Sequence, residues 1–360
     1  NAGMTLLYTA FVCVTVLYAG IVTLLLIRQK RVTRRIARAA TRVIPEPVIR
    51  NDDSEQRFLE KADEAMRLNQ TFQKFVPKQF VDHFAKHGID TLELGRADED
   101  EVAILFCDIR GFTGLSEKMK PQELMSFLNS YFLRMNDPIH QNGGFIDKFI
   151  GDAIMALFDH PGGTGTDKAT DAVNAALDLQ KALSVYNSHR AKSGYEGIRV
   201  GVGVHIGPVI LGTVGSDDRM DTTVIGDSVN IAFRLEGLAP KYHADIVISA
   251  QTLKAVSHKQ PIDCRVLDVV RVKGRQAPIR VYEVINHLSE ASRKQKLIVA
   301  PYIRDGLACR ITRDWQQALS YFNKALLIAP DDPLLHHHIH TIETLMHTDL
   351  PADWDGAVAH

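Results

Sequence analysis

Cysteine is scarce and scattered. Cys13, Cys107, Cys264 and Cys309 are four in 360 residues, and no two stand at the spacing of a metal-binding or redox pair. Three of the four lie in apolar runs, so they read as reduced, buried thiols and not as a disulfide framework. An excess of charge of one sign is lacking too. With 42 Lys and Arg against 43 Asp and Glu the formal net charge is −1, which excludes the basic balance that a nucleic-acid partner would call for. Charge is missing altogether from residues 4–27 (MTLLYTAFVCVTVLYAGIVTLLLI). That run exceeds the roughly 20 residues needed to cross a bilayer. The basic residues Arg28, Lys30, Arg31, Arg34, Arg35 and Arg38 come after it. A signal peptide carries its positive charge ahead of a shorter apolar core. The expectation is therefore an uncleaved single-pass anchor in the inner (plasma) membrane, with the rest of the chain on the cytoplasmic side. The first residue is Asn, which fits either a tag remnant ahead of Met4 or a piece of a longer sensor protein.

The chain is organised around residues 101–158. The apolar run at 102–107 has the length of a buried strand, and Asp108 stands where it ends, followed by Gly111 and Gly114. Two further strands, 145–150 and 153–158, are joined tightly through Gly151 and Asp152. If these strands are neighbours in one sheet, the carboxylates of Asp108 and Asp152 converge without a long loop. Two hard oxygen ligands with open positions suit Mg²⁺ or Mn²⁺ carrying a polyphosphate. Helical spacing of apolar residues predicts helices over 121–141 and 164–190, and Gly/Val alternation predicts a strand over 198–206. The order strand, helix, strand, strand, helix, strand implies an α+β, ferredoxin-like arrangement, which hosts many functions. The glycines of IRVGVGVHIGPVILG fall inside a strand pattern with no helix start after them, so they read as close strand approach and not as a phosphate loop. Beyond them, residues 228–237 read as a helix that sets Asn230 and Arg234 one turn apart on one face.

FCDIRGFT and KFIGDAIMALF resemble the two metal-binding segments of the class III adenylyl and guanylyl cyclases. The resemblance continues through TTVIGDSVNIAFRLE and VKGR and covers residues 72–285. Diguanylate cyclases share the layout but carry a GGDEF-type turn where this hairpin reads FIGDAI. By resemblance, Asp108 and Asp152, with the backbone carbonyl of Ile109, hold two divalent metal ions (Mg²⁺ or Mn²⁺). Lys148 and Thr223 contact the purine, Asn230 orients the ribose, Arg234 stabilises charge on the α-phosphate, and Lys273 contacts the triphosphate. Arg219 is a looser candidate for the phosphates. In the family such sites form across a head-to-tail homodimer, with the metals on one subunit and the other five residues on its partner. Adenine N1 accepts a hydrogen bond and an ammonium only donates, so Lys148 argues for ATP over GTP. Thr223 stands where many adenylyl cyclases have Asp and resembles a Thr-bearing subgroup, some of whose members respond to bicarbonate. The implied activity is conversion of ATP to 3′,5′-cyclic AMP and pyrophosphate. A guanylyl cyclase and a catalytically silent signalling scaffold are the alternatives. His205 lies in a run that resembles the structural strand before the family's Gly-Pro turn, here Gly207-Pro208.

Four segments result: residues 4–27, a membrane anchor; 28–100, a basic juxtamembrane stretch and coiled-coil-like linker helix; 101–287, the catalytic domain; and 288–360, a small helical tail. In the linker, Pro45 and Pro47 stop any continuous helix from the anchor, and Leu59, Ala62, Met66, Asn69, Gln73 and Val76 form a heptad-like seam. The seam implies a parallel helical dimer relaying a signal from an upstream sensory module, with residues 34–70 resembling a degenerate HAMP linker. FQKFVPKQFVDHF resembles the transducing segment that often precedes cyclase domains. In the tail, Tyr302, Gly306, Ala318, Phe322, Ala325 and Pro330 follow the spacing of one tetratricopeptide-like repeat, whose apolar face needs a neighbour to cover it. His336, His337, His338 and His340 crowd one helical turn and do not converge as ligands.

Overall fold

The computed structural model describes residues 30–31, 52–72, 74–75, 97–216, 219–271 and 277–359. The chain divides into two compact units, Asn1–Phe72 and Gln73–His360. In the first, α1 (Asp52–Phe72) is an uninterrupted helix whose Phe58, Leu59, Met66 and Leu68 are exposed. Leu59 and Met66 belong to the predicted seam; Gln73 and Val76 lie outside the described residues, as do most of the basic stretch and the transducing segment.

The expected single-pass inner-membrane location is corrected here. Among the described residues no helix is long and apolar enough to cross a membrane. Residues 4–27, on which that expectation rested, lie outside the described residues.

The second unit is built on one sheet. Its first half runs β1 (Ala97–Ile109), α2 (Phe112–Ser116), α3 (Pro121–Gln141), β2 (Phe145–Ile150), β3 (Ala153–Phe158), α4 (Gly165–Lys192) and β4 (Val200–Ser216). The spatial order is β2-β3-β1-β4 with every neighbour antiparallel, which is the ferredoxin-like arrangement. β5 (Arg219–Ile225) folds back on β4, and α5 (Asp227–Lys241) follows. Then come β6 (Ile246–Ser249), α6 (Ala250–Ser257), β7 (Cys264–Arg271) and β8 (Ile279–Val284), which extend the sheet.

Period-two alternation in β1 separates the two layers. Ala103, Leu105, Cys107 and Ile109 face the core formed with Phe127, Tyr131 and Met135 of α3 and Ala172, Ala176 and Leu179 of α4. Val102, Ile104 and Phe106 face the other way, toward Ala232 of α5. Asp108 continues that second set. It is the penultimate residue of a strand longer at both ends than its apolar run, because charged residues 98–101 also pair with β4. No turn follows His205 either: Gly207 and Pro208 sit inside β4, opposite Val102 and Glu101. His205 itself is buried with Nδ1 2.7 Å from the Ser249 hydroxyl, a structural pairing.

The glycines of β4 admit α5. A Cβ at Gly203 would meet the backbone nitrogen of Glu236 and lie 2.7 Å from the carbonyl oxygen of Ala232. Glycine alone lets the helix that carries Asn230 and Arg234 lie this close to the sheet.

The tail is not a free appendage. α7 (Glu290–Ile311), α8 (Trp315–Ile328) and α9 (Pro333–Met346) share a core with Leu235 and Leu238 of α5 and with Leu267, Val270 and Val281 of the sheet. A Cβ at Gly306 of α7 would lie 2.7 Å from the Phe322 ring of α8, the close crossing that the repeat-like spacing implies. Asp314 and Asp332 cap α8 and α9, with Pro333 at the first turn of the latter. β9 (Val358–Ala359) adds to β7, and the Trp354 ring meets Trp315. The clustered histidines have separate tasks: Nε2 of His338 is 2.7 Å from the Leu267 carbonyl oxygen while its ring stacks on Phe322, and His337 meets Tyr242 edge-on. Burial pushes His338 down to about 4, so it is neutral at pH 7. Of the cysteines, Cys107 is buried with its thiol pushed up to about 12 by burial, whereas Cys264 and Cys309 are only partly covered. All three are free, and Cys13 lies outside the described residues.

Candidate active site

Asp108 and Asp152 meet at one backbone amide. The N–H of Ile109 donates to Oδ1 of Asp108 at 2.9 Å and to Oδ2 of Asp152 at 3.1 Å. The fold produces this in two steps. β3 pairs with β1 from Cys107↔Ile154 onward, which brings the hairpin tip level with the end of β1. The two-residue loop then reverses the chain through Gly151 at φ 64°, a conformation that favours glycine.

Burial, then Asp152, then Glu236 push Asp108 up to about 8. Glu236 is itself pushed up to about 7 by burial and by Asp152, partly offset by Arg110. Glu236 lies two residues past Arg234 on α5 and was not singled out from the sequence, where it reads as one more polar residue of an amphipathic helix. Arg110 donates to the Ala244 carbonyl oxygen and lies 3.7 Å from Asp245. Among the described residues no group of three His, Cys, Asp or Glu is placed to hold a metal ion.

The remaining candidates are placed as follows. Asn230 is exposed and Arg234 half-buried on the first turns of α5. Thr223, on β5 opposite Gly212, is half-buried. Lys148, on β2, is half-exposed, with Nζ 3.4 Å from Asp147. Lys273 lies outside the described residues, and nothing is described of the Arg219 side chain. Ile109 enters through its N–H, which orients both carboxylates, while its side chain is buried in the core.

The family model of the adenylate and guanylate cyclase catalytic domain matches residues 95–286, more than half of the chain. The chain belongs to this family. An adenylate cyclase of Anabaena cylindrica is 45% identical over 220 residues, covering 59% of this chain and 42% of the relative. The terminal-differentiation-specific adenylate cyclase of Dictyostelium discoideum is 36% identical over 266 residues, 74% of this chain and 12% of that protein. The chain thus spans less than half the length of these curated relatives. Among solved structures, a bacterial light-regulated adenylyl cyclase superposes with a TM-score of 0.57 at 26% identity, over 69% of this chain and 71% of that one.

Proposed function

We propose that this chain is an adenylyl cyclase, converting ATP to 3′,5′-cyclic AMP and pyrophosphate in a site shared between two copies. The observation that carries the proposal is the convergence of Asp108 and Asp152 on the Ile109 amide. Two carboxylates converging on one point form a donor set suited to a hard divalent cation. In this reading Asp108 and Asp152, with the Ile109 carbonyl, hold two Mg²⁺ or Mn²⁺ ions. When bound, such ions would supply Lewis-acid charge that lowers the pKa of the ribose 3′-hydroxyl and offsets the charge of the departing pyrophosphate.

Each remaining side chain has one task. The Lys148 ammonium donates to adenine N1, and the Thr223 hydroxyl contacts the same base. Asn230 orients the ribose so that its 3′-oxygen lies in line with the α-phosphorus, and Arg234 stabilises the charge that develops on the α-phosphate. Lys273 contacts the triphosphate. No side chain is assigned as a general base, and the rate acceleration comes from positioning and fixed charge.

The shared site is supported by surface left apolar in the single chain. Phe233 of α5 is 56% exposed, packed edge-on to Phe106, and Ile225, Val214, Phe149 and Ile150 are exposed as well. Exposed apolar side chains of this size mark interface surface, and Phe233 sits beside Phe106, two residues before Asp108. The exposed Leu59 and Met66 on α1 support a second, helical dimer contact through which an upstream sensory module would act.

Complementation tests reaction and shared site together. Asp108→Ala is expected to form no measurable cyclic AMP from ATP and Mn²⁺, and Arg234→Ala at most about 1% of the wild-type rate. Mixed in equal amounts, they should recover roughly a quarter of wild-type activity, because half of the dimers then hold one intact site. A mixture no more active than the two variants alone, while the wild type is active, would contradict the shared site.

A further inference from the structure

Among the described residues, a buried carboxylate next to Lys148 has no donor nearer than that lysine's ammonium. Both oxygens of Asp147 are inaccessible and without a hydrogen-bond partner, and its side chain is 1% exposed. Burying a carboxylate this way is costly, and a group kept at that cost calls for an explanation. Its neighbours supply one. Among the described residues the cation beside it is the Lys148 ammonium, at 3.4 Å. Adjacent strand residues ordinarily point to opposite faces, but the register of β2 on β3 slips between Ile146 and Lys148, so Asp147 is an extra residue. A bulge re-aims side chains, and here it brings the two consecutive charges together. Asp221 is near enough to act on Asp147 electrostatically, and it lies two residues from Thr223, on the same face of β5.

We infer that Asp147 is a positioning residue for purine recognition. Its buried carboxylate anchors the Lys148 ammonium from below, so that the exposed side of that ammonium is presented to the base beside Thr223. This rests on the proposed contact between Lys148 and adenine. Asp147 touches no substrate atom; it restricts where Lys148 donates, and thereby favours a purine with an acceptor at N1 over one with a donor there.

The test uses the full chain with Asp147→Asn, Lys148→Ala and the double variant, measuring kcat and KM for ATP and GTP together with Tm. Asp147→Asn keeps the shape and removes the charge. It should raise KM for ATP about tenfold with a much smaller change in kcat, lower the preference for ATP over GTP, and leave Tm unchanged or higher. In the Lys148→Ala background the same substitution should have no further effect. Asp147→Ser carries the same expectation should Asp147→Asn fail to fold. Unchanged kinetics in Asp147→Asn, or a loss that tracks a fall in Tm and adds to that of Lys148→Ala, would overturn the inference while leaving the Lys148 contact standing. If Lys148→Ala itself leaves the ATP and GTP parameters unchanged, the underlying contact fails and this inference falls with it.

Discussion

The N–H of Ile109 is shared by Asp108 and Asp152, at 2.9 and 3.1 Å, so that one amide fixes two carboxylates from separate strands. The proposed chemistry depends on this arrangement, and it has consequences measurable without substrate.

The first is a pH dependence of stability. Asp108 is raised to about 8 and Glu236 to about 7, both above their values in an unfolded chain. A carboxyl raised on folding stabilises fully below its unfolded pKa, and that contribution is lost as pH rises through the folded pKa. The Tm of the metal-free protein should therefore fall between about pH 4 and pH 8 by an amount that Asp108→Asn reduces. Mn²⁺ at pH 8 should raise Tm in the wild type and not in Asp108→Asn. Thermal melts across this range check both statements.

The second concerns Arg234. If its guanidinium meets charge only as the transition state forms, Arg234→Ala should lower kcat about 10²- to 10³-fold, or ~3–4 kcal/mol, with little change in KM. Steady-state kinetics on ATP with Tm as a folding control separate this from misfolding.

The third lies at the junction of tail and sheet. Asp268 and Arg310 are fully buried and paired, and the Tyr242 hydroxyl donates to the same carboxylate at 2.7 Å. Arg310→Met should cost about 3–5 kcal/mol because it strands the Asp268 charge. Adding Asp268→Asn should recover most of that loss. Chemical denaturation of the single and double variants tests the coupling.

The fourth is dimerisation. Phe233→Asp puts a charge on the exposed apolar surface of α5 and should shift the protein toward monomer in sedimentation, with activity falling in parallel. Unchanged sedimentation would place the contact elsewhere.

Much of this was legible in the sequence because local signals and tertiary demands coincide. The hairpin strands begin and end where the pattern sets them, since Gly151 and Asp152 interrupt two apolar runs. Helix α3 begins at Pro121, and proline is favoured in a first helical turn. The misses have physical causes. β1 outruns its apolar core because residues 98–101 are held by backbone pairing with β4, which leaves no hydrophobic trace. Gly207-Pro208 looks like a turn, yet a Cβ at Gly207 would crowd the Ser228 side chain, so this glycine marks close approach within a strand. In the site, Asp108 and Asp152 stood out from the sequence. Asp147 and Glu236 did not, because burial and the neighbours that perturb them appear only once β2 is bulged and α5 lies against β4.

The central claim is tested most directly by cyclic nucleotide formation from ATP and from GTP in parallel, with Mg²⁺ or Mn²⁺ and Asp108→Ala as the control. The account predicts cyclic AMP as the main product, with none in the control. Cyclic GMP as the main product would contradict the role given to Lys148. No product from either nucleotide, at concentrations where the protein is dimeric, would contradict the catalytic reading and favour a signalling scaffold.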